Sequence, residues 1–219
     1  MKNMNKILLK LLKDLRLKNE MRYFSMLRKR NNNTDPTIIC NNCVGGVIYH
    51  NLGLKFLSPT VNLFIKSEDY LTFCENLKYY SSCDIIQVND QDRGYPVGRI
   101  VPLDHNHKEI TVFFQHYKSF EEAKRKWIER YQRINWDNMF FIWEFYDTLY
   151  DNRLLYDFDH AELPGKKILL LHREISGVKN SFVLSCYKED LPIAKAFEYR
   201  GLSGKRYLDE FDYVSFLNT

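Results

Sequence analysis

The chain of 219 residues lacks any apolar run approaching the roughly 18 residues that a membrane-spanning helix requires. It also lacks the marks of a secretory signal. Lys6, Lys10 and Lys13 interrupt the apolar stretch at its start, and no small-residue cleavage site follows. Five cysteines, an odd number in a chain this long, do not make a disulfide framework. Internal repeats and low-complexity tracts are missing too. Together these absences imply a reduced, cytoplasmic protein. Positive charge is scarce on the body of the chain: residues 1–30 hold ten Lys or Arg against Asp14 and Glu20, whereas the remainder holds 22 basic and 26 acidic residues. The net charge of +4 is therefore a local feature. No nucleic-acid partner is expected, because that needs a basic face on the folded domain.

What is present is apolar and aromatic, 45% and 15% of residues, enough for a substantial core. Met4, Ile7, Leu8, Leu11, Leu12, Leu15 and Met21 recur at helical spacing, with Lys6, Lys10, Lys13 and Lys18 between them. Residues 1–30 thus read as a basic amphipathic helix. It either lies on an anionic membrane surface, making the protein peripheral to the inner face of the membrane, or packs on its own domain or a partner. Residues 31–36 are turn formers and mark a linker. Residues 37–219 read as a single α/β domain: strand-like and helix-like segments alternate, which predicts a mostly parallel central sheet with flanking helices. Strands are expected at Thr37–Cys40, Val61–Ile65, Asp84–Val88, Met139–Trp143, Lys167–Leu171 and Ser181–Cys186. Helices are expected at Val44–Leu52 (stopped by Gly53), from Ser67 to about Tyr80, from Ser119 to about Ile134, and at 152–162 and 205–217. Pro96–Leu103 and Glu109–His116 read as one β-hairpin across Asp104–Lys108.

In open α/β sheets, ligands sit beyond the carboxyl ends of the strands. Cys43 follows the first strand in the loop Asn41-Asn42-Cys43-Val44-Gly45-Gly46, which opens a helix. Unpaired amides at such a helix start stabilise a thiolate or an oxyanion. His116 ends another strand, Glu144 and Asp147 follow a third, and His172 a fourth. A thiol, an imidazole and a carboxylate are the parts of a nucleophile, a base and its orienter. The chemistry they suit is acyl transfer. His116 takes the proton of Cys43, Glu144 or Asp147 orients His116, and amides near Val44–Gly46 hold the oxyanion. Asn41, Asn42, Gly45, Gly46 and Tyr117 are the expected substrate-binding neighbours. Arg130 and Arg133, one helical turn apart, are an expected clamp for phosphate or carboxylate.

Other chemistries stay open. Asp90-Gln91-Asp92 follows a strand, and two such carboxylates hold a divalent cation on a sugar-nucleotide diphosphate, which is the alternative of a metal-dependent glycosyltransferase. Without that pair no metal site is expected. Cys40 and Cys43 form a Cys-x-x-Cys, but Cys40 belongs to the strand rather than the helix start that redox dithiols occupy. His105 and His107 lie in good turn composition and read as solvated.

Several strings resemble one bacterial family, domain-of-unknown-function family nineteen-nineteen. They are Asn41-Asn42-Cys43-x-Gly45-Gly46-x-Ile48-Tyr49, Ser58-Pro59, Asn62-Leu63-Phe64, Tyr95-Pro96-x-Gly98, His116-Tyr117, Arg130, Arg133-x-Asn135 and Gly204-Lys205-Arg206-Tyr207. The resemblance covers roughly residues 22–219. Where the chain has Cys40 the family usually has Ser, so the Cys-x-x-Cys is incidental. Where it has Val44 the family usually has Trp. Members are commonly labelled exopolysaccharide or capsule biosynthesis proteins. The resemblance therefore implies an enzyme of an envelope-sugar pathway, with a sugar or sugar-lipid acceptor and an acyl donor such as a coenzyme A thioester, or else a non-catalytic assembly module of that machinery.

Overall fold

The computed structural model describes residues 2–89, 93–145, 152–186 and 195–218. Its centre is a parallel four-stranded sheet, built from β1 (Thr37–Cys40), β6 (Met139–Phe145), β7 (Lys166–Leu171) and β8 (Ser181–Val183) in that order. Every residue of β1 and β6 is buried, as expected of a parallel sheet covered on both faces. Successive side chains alternate between those faces. Ile39, Phe141, Trp143, Leu169 and Leu171 enter one core, while Ile38, Cys40, Phe140, Ile142 and Leu170 enter another. Glu144 shares the alternation of Phe140 and Ile142 and so belongs to the second face.

The first core lies against the second sheet, which is wholly antiparallel. It comprises β2 (Phe64–Ile65), β5 (Ile110–Phe113), β4 (Val97–Val101) and β3 (Asp84–Val88), in that order. The α/β class and the parallel sheet hold, and β4–β5 is the expected hairpin. The antiparallel strands form a sheet of their own, a pairing over long sequence separation that local pattern does not carry. The sheets meet where Ile65 N–H donates to Asn41 O at 2.8 Å and where Tyr70 OH bonds Ile39 O and Ile142 O. Helices α3 (Ser67–Glu75), α4 (Leu77–Tyr80), α5 (Phe120–Tyr131) and α6 (Arg153–His160) complete that side. Ser119 caps α5 by accepting from Glu122 N–H, with Glu121 and Glu122 in the positive first turn.

The second core lies under α1 (Lys2–Arg30), α2 (Val44–Leu52) and the C-terminal segment. Gly53 ends α2 in the left-handed conformation, φ 68°. The helix expected over 205–217 is split into a 3-10 turn, Tyr207–Glu210, and α7 (Tyr213–Leu217), because extended Phe211 breaks it and Asp212 caps the second piece. Helix α1 docks through its C-terminal half, where Phe24 and Leu27 are buried and Arg28 Nε donates to Asn51 O at 3.0 Å. Its earlier turns expose Ile7, Leu8, Leu11 and Leu15. Among the described residues, no helix is long and apolar enough to cross a membrane.

Candidate functional site

The end of β1 is fastened to β6 by consecutive carboxamides. Asn41 Nδ2 donates to Glu144 O at 3.1 Å, and Glu144 N–H donates to Asn41 Oδ1 at 3.0 Å. Asn42 Nδ2 donates to the Glu144 carboxylate, while Asn42 Oδ1 accepts Val44 N–H at 3.0 Å. Cys43 follows as the residue capping α2, half-buried. Gly45 lies against β1: a Cβ there would meet Cys40 Sγ at 3.0 Å. A Cβ on Gly46 would meet Val61 Cγ1 at 3.3 Å and Asn62 Oδ1 at 3.4 Å. The glycine pair thus permits two close approaches, helix to strand and helix to the 61–62 loop.

Cys43 and His116 line one cavity of about 520 Å³, together with Gly46, Val47, His50, Phe56, Asn62, Phe197 and Arg206. His116 arrives from the turn after β5, in the antiparallel sheet, whereas Cys43 follows a strand of the parallel one. The cavity therefore lies at the junction of the two sheets. Asn62 has φ 64°, the left-handed region that non-glycine residues enter rarely. Such strain persists where surrounding structure imposes it, and it clusters at functional sites. Val61, next to it, is held from behind: Tyr117 OH donates to Val61 O at 2.9 Å, and Arg130 Nη1 donates to the same oxygen at 3.1 Å and to Tyr117 OH.

The electrostatics correct one expectation. Burial, and then the nearby Glu144 carboxylate, push the Cys43 thiol up to about 11. The helix start does not offset them, because its first two amides are engaged. Val44 N–H goes to Asn42 Oδ1 and Gly45 N–H to the Cys40 sulfur. Cys43 therefore rests as a thiol, and its ionisation needs a base. Cys40 is fully buried, and desolvation pushes its thiol well above the ordinary range. Both cysteines are free, and nothing here resembles a poised dithiol.

The remaining expected site residues divide cleanly. Gly46 is on the cavity wall, while Asn41, Asn42, Gly45 and Tyr117 are not, since their polar groups or faces are consumed in holding the frame. Arg130 and Arg133 do not converge as a clamp. Arg130 turns inward and is 6% exposed, whereas Arg133 faces outward to Glu129 at 3.4 Å. Glu144 is bonded to Asn42 rather than to His116, and the His116 ring hydrogen-bonds no described residue, so Glu144 does not orient it. His172 Nδ1 lies 3.5 Å from Phe145 O. His107 bonds Asp104 at 2.9 Å and stacks on Tyr79. No group of three metal-ligating side chains occurs among the described residues. Asp90, Asp92 and Asp147 lie outside those residues.

Sequence reasoning left His50, Phe56, Asn62, Phe197 and Arg206 without a role. Asn62 and Arg206 sit inside strings that resemble the family, and that was their only signal. Their meeting with Cys43 depends on chain returns that spacing does not encode.

Comparison with known proteins places this frame in a wider group. A family model described as "Domain of unknown function (DUF1919)" matches residues 15–218. An uncharacterized protein of Haemophilus influenzae is 31% identical over 194 residues, 88% of each chain.

Proposed function

The chain belongs to the DUF1919 family, and from that premise we propose an enzyme that acylates a bacterial surface polysaccharide or its precursor through Cys43. The observation that carries this reading is the shared cavity. A thiol and an imidazole from different sheets line the same space, and the strained Asn62 is part of the same wall.

The chemistry follows from the thiol's resting state. With the thiol pushed up to about 11, only about one in ten thousand is ionised at neutral pH. Attack then requires His116 to take the proton as sulfur closes on the acyl carbonyl. The donor, an acyl thioester such as that of coenzyme A, loses its C–S bond, and its leaving thiolate takes the proton back from His116. A sugar hydroxyl next attacks the acyl-Cys43 carbonyl. His116 accepts the hydroxyl proton and returns it to the Cys43 sulfur as the thioester breaks. Gly46 N–H and the Asn62 carboxamide, which hydrogen-bonds no described residue, supply oxyanion donors. The surface-sugar assignment rests on the resemblance of the Asn-Asn-Cys-x-Gly-Gly and His-Tyr strings to proteins labelled for exopolysaccharide or capsule biosynthesis.

The exposed turns of α1 fit a peripheral role at the inner face of the membrane. Ile7, Leu11 and Leu15 are 62%, 60% and 46% exposed beside Lys6, Lys10, Lys13 and Lys18, the composition that adsorbs to anionic lipid. Cosedimentation with anionic vesicles, before and after deletion of residues 1–18, tests that role, and equal sedimentation of both forms rejects it. For the reaction, Cys43→Ala, Cys43→Ser and His116→Ala are assayed for acylation of the surface sugar. Loss in all three supports the mechanism, and unchanged acylation sinks it.

A further inference from the structure

Among its described residues the wall of the cavity holding Cys43 has no acidic side chain, and Arg206, His50 and His116 all line it. Arg206 keeps spare donors, although its guanidinium lies 4.9 Å from the centre of the Tyr199 ring. Its Nη2 makes two long hydrogen bonds, to Tyr199 OH at 3.3 Å and Glu20 Oε1 at 3.5 Å, and its buried Nε has no partner. Nη1 donates to no described residue. A guanidinium fork matched to its protein partners engages more fully and at shorter range.

A second positive charge lies behind the wall. Arg130 is 6% exposed, and its partners are neutral oxygens, Val61 O and Tyr117 OH. No carboxylate among the described residues pairs with it. Its guanidinium sits 5.3 Å from the centre of the Phe56 ring, and Phe56 lines the cavity. Burying a guanidinium without an anion is expensive. Arginines this buried are ordinarily paired. Arg206 has two acids beside it, Glu20 at 3.5 Å and Asp209, which accepts the Arg206 backbone N–H at 2.6 Å, but neither bonds Arg130, and Glu144 is engaged by Asn42.

We infer that this cavity binds a phosphate-bearing ligand of at least two negative charges, a pyrophosphate group, with Arg206 as its direct partner and Arg130 supplying charge through the wall. One carboxylate would satisfy one arginine, whereas two guanidiniums, with the His50 and His116 rings beside them as hydrogen-bonding groups, call for a polyanion. The volume of about 520 Å³ lies in the range of ordinary ligand sites. Val47, Phe56 and Phe197 leave apolar wall for the ring or chain that carries the phosphates. The inference rests on the acyl-transfer reading only for what the ligand delivers, not for its binding.

The test titrates the full chain calorimetrically with inorganic pyrophosphate at low ionic strength, with uridine diphosphate, coenzyme A and citrate as parallel arms. Alkylation of Cys43 by iodoacetamide, read by mass spectrometry, is followed with and without pyrophosphate. Saturable pyrophosphate binding that slows Cys43 alkylation is expected, and Arg206→Gln should weaken it about tenfold or more. Lys126→Gln, on the outer face of α5, should not. Arg206→Lys keeps the charge in case the Gln variant fails to fold, and should bind with intermediate strength. Tighter binding of uridine diphosphate assigns the phosphates to a nucleotide sugar, and tighter binding of coenzyme A to an acyl carrier; both support the site. No saturable binding by the wild-type chain, no protection of Cys43, or equal binding of citrate overturns it. Cys43→Ala should still bind pyrophosphate. If that variant also keeps its acylating activity, the catalytic reading fails while the site stands; if it loses activity and the wild-type chain binds no pyrophosphate, the site alone fails.

Discussion

The side chain of Asn41 and the backbone of Glu144 exchange two hydrogen bonds, at 3.1 and 3.0 Å, and so lock the end of β1 to β6 in register. Both residues are buried, 1% exposed each. Leaving a buried polar group unpaired costs about 1–3 kcal/mol. Asn41→Ala strands two of them, so a loss of about 2–4 kcal/mol in urea unfolding is expected. A loss under about 0.5 kcal/mol would show that this pair does not hold the frame.

The raised thiols make the fold alkali-sensitive. Cys43 is pushed up to about 11, by burial first and Glu144 second. Cys186 is pushed up to about 12 for the same two reasons in the same order. In the unfolded chain a thiol ionises near ~8.5. The unfolded state therefore sheds these protons first. The contribution is full below that pH and declines as pH rises through the folded values. The urea midpoint should fall above about pH 8.5, and Cys43→Ser should fall less steeply. A flat midpoint up to pH 11 contradicts the assigned burial. Iodoacetamide labelling of Cys43 should meanwhile climb about tenfold per pH unit, with no plateau below about pH 10.

Gly204 and Gly201 form a controlled comparison. Both have positive φ, 77° and 63°. A Cβ on Gly204 would lie 2.2 Å from Glu20 N, whereas one on Gly201 meets nothing within 4 Å. Gly201→Ala should cost about 1 kcal/mol from backbone strain alone. Gly204→Ala should cost roughly 3 kcal/mol or more and lift α1 from the body. Hydrogen exchange at residues 20–30 reads the lifting directly. Equal protection in both variants would show that α1 docks elsewhere.

Arg130 exchanges stability for charge. Arg130→Met removes two hydrogen bonds but also an unneutralised buried cation, and the terms oppose each other at about 1–3 kcal/mol each. Net stability should change by less than about 1 kcal/mol, while thermal stabilisation by pyrophosphate is lost. A large destabilisation with ligand stabilisation intact would make Arg130 a purely structural residue.

How much of this was legible in the sequence depended on range. Strand Thr37–Cys40 and helix Val44–Leu52 match the structure residue for residue, because Gly53 and the polar loop 41–43 punctuate them locally. Cys43 and His116 were legible as reactive types at strand ends. Their meeting was expected from neighbouring strands of one parallel sheet, whereas the cavity brings them together from two sheets, because β5 pairs with β2 and β4 in a separate antiparallel one. Arg130 misled for a related reason. Helical spacing puts Arg130 and Arg133 near one another, but α5 ends at Tyr131, so Arg133 leaves the helical face while Arg130 is drawn inward by Val61 O. Arg206 carried no signal beyond the string that resembles the family, because its neighbours Glu20 and Tyr199 come together only when the C-terminal segment returns to α1.

We propose that Cys43 attacks acyl carbonyls with His116 as its base. The most direct test is acyl transfer from p-nitrophenyl acetate, with the modified residue identified by mass spectrometry. One acetyl group on Cys43 is expected in the wild-type chain, with acetylation slowed about a hundredfold in His116→Ala. Acetylation at the same rate without His116, or at any residue other than Cys43, contradicts it.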